Sequence, residues 1–170
     1  MGRIDGVLGF EAVSLASAGA SGLTLAQLVA QNKLTNPPTT SLAIPGNPTE
    51  QTALGWLHAN CGTACHSGSP SALAGPSGLR MRLEVAQLAT VQSTSTWTTA
   101  VNVPSVFQPA PNAGYLRIAP RDAARSTIPY RDGRRDAVGA TVVVQMPPVV
   151  THLVDDAGVQ AVSAWINTMP

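Results

Sequence analysis

Two cysteines and a histidine lie within six consecutive positions of this chain, as Cys61, Cys65 and His66. The whole sequence of 170 residues has two cysteines and three histidines, so this stretch holds three of these five residues and both thiols. The spacing, C-x-x-x-C-H, permits a disulfide, part of a zinc site, or attachment of a cofactor through thiols and imidazole. Each of these strongly constrains the fold around it.

A helix is predicted to lead into this motif. Asn47 is a suitable N-cap, Pro48 suits the first helical position, and Glu50 stands where a capping box needs an acid. Apolar residues then follow at helical spacing up to Cys61. The apolar positions are Ala53, Leu54 and Leu57.

The composition predicts one domain of ordinary size and excludes some partners. Hydrophobic residues make up 44% of the chain, which is enough for a core, and the net charge of +1 gives no electrostatic reason to expect nucleic acid. The chain has no apolar run of about 18 residues, so no membrane span is expected. Residues 1–20 lack the apolar region of a signal peptide.

The remaining segments predict a mainly α fold with a small β or loop insertion. Residues 1–45 are predicted to form an N-terminal extension, and residues 46–170 the domain. Within the extension, a short helix is expected near 23–34, capped by Thr24. A last helix is expected after Asp155 or Asp156. Period-two or β-prone patterns predict short strands at 79–85, 91–99 and 115–118, and a short helix is expected at 122–130.

Three stretches resemble the mono-haem c-type cytochrome domain found at the C-terminal end of larger secreted bacterial proteins, and they follow each other in the family's order. They are residues 53–66, which include the cysteine motif, residues 116–126, and residues 146–166, which begin with Met146-Pro147-Pro148. Together they cover about a quarter of the chain. The motif departs from the family's C-x-x-C-H by one additional residue between the cysteines, which is expected to bulge the attachment loop.

The resemblance implies a cytochrome c-like helical fold with one covalent haem c. Cys61 and Cys65 would form the thioether bonds, His66 would be the proximal iron ligand and Met146 the distal ligand. The implied function is single-electron transfer without enzymatic activity of its own, alone or within a larger oxidoreductase. The implied partner is a redox protein or a fused upstream domain, and the implied location is periplasmic or extracellular.

The residues themselves also favour Met146 as the distal ligand. Its thioether is soft and neutral, and Pro147-Pro148 restricts the backbone that presents it. His152 is the alternative ligand. Met81 and Met169 fit packing positions better, and His58 cannot easily reach the opposite face of a haem because it shares a helix with Cys61.

Two further alternatives stay open at this point. The chain can be a haem-free structural or interaction module with a Cys61–Cys65 disulfide, and the longer motif can leave a single thioether bond. Residues 131–136 carry three arginines that can neutralise haem propionates or contact a partner. A solvated loop with Asp132 and Asp136 as local partners is the favoured interpretation.

Overall fold

The computed structural model describes residues 10–17, 19–111, 113–137, 140–149 and 151–170. Contacts group the chain into two compact units that divide between Thr98 and Thr99. The described residues are mainly helical, as predicted, and their β structure is limited to isolated bridges. Of the predicted extension, residues 1–9 and 18 lie outside the described residues, and the predicted boundary between 1–45 and 46–170 stays a prediction.

The first unit begins with two short helices, α1 at Ala12–Ala16 and α2 at Leu25–Ala30. Thr24 caps α2, and its side chain and that of Gln27 form a capping box, which confirms the predicted cap. The helix is shorter than the predicted 23–34. It ends because Asn32 adopts a left-handed backbone conformation with φ of 52°, which asparagine tolerates and an α-helix does not.

Helix α3 spans Pro48–Leu57 and begins where the sequence predicts. The Asn47 side chain accepts the N–H of Thr49 at 2.9 Å and that of Glu50 at 3.2 Å. The Glu50 carboxylate in turn accepts the N–H of Asn47 at 2.7 Å, which completes a capping box. The buried face of this helix consists of Ala53, Leu54 and Leu57.

The predicted strand at 79–85 is wrong, although its pattern of burial is correct. Met81 and Leu83 are buried, whereas Arg80 and Glu84 are exposed. The segment is extended and pairs with no strand among the described residues; a short 3₁₀ turn follows at Val85–Gln87. An alternation of apolar and polar residues indicates that one side of a segment is buried, but it does not show that the segment pairs with another strand.

The predicted strand at 91–99 is also wrong, because this segment leads into helix α4 at Ser95–Ala100. The Thr94 hydroxyl accepts the N–H of Trp97 at 3.2 Å, which is the hydrogen bond of an N-cap. Threonine and serine favour strands by propensity but favour helix starts by hydrogen bonding. Here the local hydrogen bond decides the structure.

In the second unit, the predicted small β insertion reduces to isolated bridges. The bridges are Val101–Ile118, Pro104–Leu116 and Leu116–Ser126. Leu116 and Ile118 of the predicted strand at 115–118 take part in these bridges, but no continuous strand forms among the described residues. This part of the chain is mainly turns that pack around the buried side chain of Ile118.

Two helices complete the second unit. A 3₁₀ turn at Ala123–Arg125 precedes α5 at Thr127–Asp132, and α6 spans Asp156–Thr168. Asp155 caps α6 by accepting the N–H of Gly158 at 3.0 Å, as predicted. Pro129 lies in the first turn of α5 and does not interrupt it. The buried apolar side chains of this unit include Ile118, Ile128, Val162, Trp165, Ile166 and Met169.

No helix within the described ranges is both long enough and apolar enough to cross a membrane.

Candidate functional site: the cysteine–histidine segment

A π-helical turn, His58–Gly62, follows α3 and contains the first cysteine. The N–H of Thr63 donates to the carbonyl of His58 at 2.9 Å, and the N–H of His66 donates to the carbonyl of Cys61 at 2.8 Å. Each bond spans five residues, whereas the α-helical bond spans four. These wide turns therefore offer a physical way to fit the additional residue of C-x-x-x-C-H.

The structure places Cys61 at the end of the π-helical turn and Cys65 and His66 in the turns that follow it directly. The N–H of Cys65 donates to the carbonyl of Cys61 at 3.3 Å, which places the two cysteines on successive turns. Both are half-buried, and no disulfide joins them. The arrangement suits two sulfur bonds to a single group, followed directly by an imidazole.

A backbone carbonyl orients the ring of His66. Nδ1 of His66 lies 3.0 Å from the carbonyl oxygen of Leu79. A carbonyl oxygen can only accept, so Nδ1 carries a proton, and in the neutral ring Nε2 then carries the lone pair. This tautomer binds metals through Nε2, and a carbonyl is a common outer partner of a metal-bound histidine. Leu79 acts through its backbone, so no sequence pattern identifies its role.

Gly62 allows the segment 79–83 to lie directly against the π-helical turn that contains Cys61. A Cβ at this position would lie 2.5 Å from the backbone nitrogen of Arg82 and 2.6 Å from the backbone oxygen of Met81. Backbone atoms cannot move aside as a side-chain end can, so any side chain here displaces the segment. The same contact brings the N–H of Met81 to the carbonyl of His66 at 2.9 Å.

Arg82 places an unsatisfied donor beside this turn. Its Nε is buried and has no hydrogen-bond partner among the described residues. A buried guanidinium N–H is satisfied best by an anionic oxygen. Haem carries carboxylates, so this donor, the two thiols and the His66 tautomer together fit a covalently held haem.

His58 is a structural histidine. Its Nδ1 accepts the N–H of Leu83 at 3.0 Å, and its Nε2 lies 2.8 Å from Oε1 of Glu11. Because Nδ1 accepts, Nε2 carries the proton and donates to the carboxylate. With both ring nitrogens engaged and 2% of the residue exposed, His58 connects α1, α3 and the segment 79–83.

The Glu11 carboxylate caps α1 as well as binding His58. It accepts the N–H of Ser14 at 2.7 Å and that of Val13 at 3.2 Å. Burial by itself would raise the pKa of Glu11, but the hydrogen bonds from His58 and Ser14 outweigh it and lower the pKa from 4.5 to about 2. Glutamate is not a preferred N-cap, so this role cannot be recognised from residue type alone.

Glu11 is expected to make the fold sensitive to acid. A carboxylate whose pKa is lowered by folding stabilises the protein above its unfolded pKa, and this stabilisation disappears as the pH falls from 4.5 to about 2. Urea unfolding should show Glu11→Gln about 2 kcal/mol less stable than the parent at pH 7. The difference should shrink towards pH 2. The exposed Glu84→Gln should match the parent throughout; an equal loss in both variants would contradict this role.

Met146 lies in the second unit, between α5 and α6. It is half-buried, and its peptide bond to Pro147 is cis. Its N–H donates to the carbonyl of Arg131 at 3.1 Å, and its carbonyl accepts Nη1 of Arg135 at 3.3 Å. Both polar groups of the Met146 backbone are therefore held by residues at or just beyond the end of α5.

Arginine side chains hold the segment around Met146 in place. Nε of Arg131 donates to the carbonyl of Val144 at 2.8 Å, and Nε and Nη2 of Arg135 donate to the carbonyl of Leu153 at 3.1 and 2.7 Å. Stacking on aromatic rings adds to this: the Arg131 guanidinium carbon lies 4.7 Å from the centre of the Phe107 ring. The favoured solvated-loop interpretation of 131–136 therefore misses the contacts that Arg131 and Arg135 make with the backbone carbonyls of Val143, Val144, Met146 and Leu153.

The other candidate ligands lie in different environments. His152 is exposed, whereas Met81 and Met169 are 3% and 4% exposed and pack in the cores of the first and second units, as predicted. Within the described part of the chain, no three His, Cys, Asp or Glu residues converge as a metal site. These residues therefore offer no tetrahedral set of the kind that structural zinc takes.

No protein family matches this chain, and neither the curated proteins nor the solved structures contain a match. The resemblance to c-type cytochromes therefore depends on the three stretches quoted above and on the geometry of the cysteine–histidine segment.

Proposed function

We propose that this chain is an electron-carrier domain that holds one haem covalently through Cys61 and Cys65, with His66 as an axial ligand of the iron. The observation that carries the proposal is the 3.0 Å hydrogen bond from Nδ1 of His66 to the carbonyl of Leu79. In the neutral ring this bond leaves the lone pair on Nε2, the arrangement of a metal-binding histidine, close in sequence to two thiols.

Each residue of the cysteine–histidine segment has its own role in this proposal. Cys61 and Cys65 tether the group, so that it is retained in both redox states. His66 presents the Nε2 lone pair, and the Leu79 carbonyl keeps the ring oriented and makes it a stronger electron donor. Haem, when bound, supplies an iron that alternates between the ferrous and ferric states and so stores one electron.

Met146 would supply the second ligand to the iron in this proposal, with His152 as the alternative. A neutral thioether favours ferrous iron and raises the redox potential relative to a second imidazole. The Met146 backbone is anchored at its N–H by Arg131 and at its carbonyl by Arg135. The backbone is therefore already held in place before the side chain binds. Less conformational entropy is then lost when the side chain binds.

The proposed activity needs no acid, base or nucleophile, because only an electron moves. The partner is a redox protein or an upstream domain of the same polypeptide, within a larger oxidoreductase or alone. The proposed location is the periplasm or the cell exterior.

The test of the proposal is to produce the protein with haem-attachment machinery and to record its ferrous spectrum. Absence of c-type bands would contradict the proposal.

Replacing Met146 tests the distal ligand. In haem-loaded Met146→Ala, the weak long-wavelength band of methionine-bound ferric iron should vanish and the redox potential should fall, because the sulfur ligand is lost. The control, His152→Ala, should leave both unchanged. If the two variants give the opposite results, His152 is the ligand.

A further inference from the structure

The first unit contains a cavity of about 390 Å³ beside α3. Its walls include residues of α1, the segment 41–44 and the exposed side of α3. Glu11, the N-cap of α1, is bonded at 2.8 Å to His58, which directly follows α3. Ala16 and Ser17, at the other end of α1, line the cavity. The first end of α1 is therefore held near the end of α3, and its last residues border an open space.

The size and the walls of this cavity are those of a small-molecule site. Such sites have volumes of about 300–1,000 Å³ and mainly apolar walls with a few polar groups. Val13, Leu42 and Ile44 belong to the apolar part of the wall, and Ile44 also packs against α3 at Gly55. The volume equals that of roughly a dozen water molecules, so a ligand of about ten to fifteen non-hydrogen atoms fits.

The charge of the lining limits the ligand further. None of the described residues that line the cavity carries a charge. An ionised ligand would lose hydration there without gaining a partner of opposite charge, which is costly in free energy. An apolar ligand instead releases water from apolar walls, which is favourable. The lining is therefore complementary to an uncharged and largely apolar molecule.

The polar side chains on α3 determine which polar group this molecule carries. The Thr52 hydroxyl donates its one hydrogen to the carbonyl of Pro48 at 2.8 Å, so towards a ligand it can only accept. Gln51 donates an N–H to the carbonyl of Gly46 at 2.9 Å and keeps its amide oxygen as an acceptor. Two serine hydroxyls of the lining can donate or accept. A ligand hydroxyl, which does both, suits the whole set.

We propose that this cavity binds an uncharged, mainly apolar alcohol or phenol. Its hydroxyl donates to the oxygen of Thr52, and its apolar part lies against Val13, Leu42 and Ile44. The inference goes beyond electron transfer and does not depend on haem, because the cavity belongs to the first unit and its lining contains no residue of the cysteine–histidine segment.

Three naphthalene derivatives test the proposal on the unsubstituted full-length protein. 2-Naphthol has the hydroxyl, 2-methoxynaphthalene has a methyl group in place of the hydroxyl hydrogen, and 2-naphthoate is charged at neutral pH. We expect saturable binding of 2-naphthol, measured by its fluorescence. The ether should bind about tenfold more weakly, because one hydrogen bond is lost. 2-Naphthoate should show no saturable binding, because its charge finds no partner.

Thr52→Val tests the proposed acceptor. Valine keeps the shape of threonine and lacks the oxygen, so 2-naphthol should bind about tenfold more weakly than to the parent, while the affinity for the ether stays unchanged. Thr168→Val is the matched control. Thr168 is also exposed on a helix and donates to the carbonyl four residues earlier, at 3.1 Å, but it lies in the second unit. This variant should bind 2-naphthol as the parent does.

An NMR titration of the unsubstituted protein with 2-naphthol locates the ligand without any effect of a substitution on folding. The largest shift changes should occur at Ala16, Ile44 and Thr52. Changes centred elsewhere, tighter binding of 2-naphthoate than of 2-naphthol, an equal loss in Thr168→Val, or no saturable binding would each overturn the inference. A dimer that 2-naphthol does not dissociate would show that a second copy covers the cavity, and would overturn it as well.

Discussion

Replacing His66 with glycine should abolish the low-spin ferric spectrum of the haem-loaded protein, and adding imidazole should restore it. Glycine removes the Nε2 ligand and leaves space where the ring was, so the iron loses one axial ligand while the thioether bonds at Cys61 and Cys65 remain. Free imidazole can occupy that space. The measurement is the optical spectrum at increasing imidazole concentration, and near-complete loss of the low-spin bands is expected without it.

The matched control is His58→Gln. His58 is also a histidine bonded to the segment 79–83, but its two nitrogens serve Leu83 and Glu11. This variant should be less stable by about 2 kcal/mol, because a buried N–H and a buried carboxylate lose their partner, yet its spectrum should be that of the parent. A parent-like spectrum in His66→Gly would show that His66 is not an iron ligand.

Gly62→Ala should destabilise the fold strongly, because the added methyl group meets backbone atoms that cannot move aside. The new Cβ would lie 2.5 Å from the backbone of Met81 and of Arg82, so the segment 79–83 must move away. That movement would also stretch the hydrogen bonds to His66 and His58. We expect a loss of about 3 kcal/mol in the free energy of unfolding, measured by urea titration of the haem-free protein.

Gly55→Ala is the matched control for this prediction. Gly55 lies within α3, and the nearest atom to its added Cβ is Cδ1 of Ile44 at 3.1 Å, the mobile end of a side chain. Alanine favours a helix interior over glycine by about 1 kcal/mol, so this variant should equal or exceed the parent in stability. If both variants had the same stability, the close approach at Gly62 would not matter for the fold.

The helices with strong capping signals could be predicted from the sequence. Asn47, Glu50, Thr24 and Asp155 each place a side chain where a helix start needs an acceptor, and this local chemistry survives in the fold. The strands could not be predicted in the same way. At 79–85 the burial pattern was real, but whether a strand pairs depends on residues distant in sequence, and here the neighbour is the turn with the cysteines.

The candidate site was predictable only where side chains carry the chemistry. Cys61, Cys65 and His66 are recognisable by residue type and spacing. The carbonyl of Leu79, the close approach at Gly62 and the buried Glu11 depend on tertiary contacts between residues 13 to 47 positions apart, and such contacts leave no local pattern. The same holds for Arg135, whose partners Met146 and Leu153 lie beyond any helical or strand period.

The intact mass of the denatured protein, after production with haem-attachment machinery, tests the central claim most directly. The mass should exceed that of the polypeptide by one haem, and the addition should map to the peptide that contains Cys61 and Cys65. Alkylation of that peptide then shows whether one thiol or none remains, which distinguishes one thioether bond from two. A mass equal to the polypeptide, or lower by two hydrogens as a Cys61–Cys65 disulfide requires, would contradict the claim.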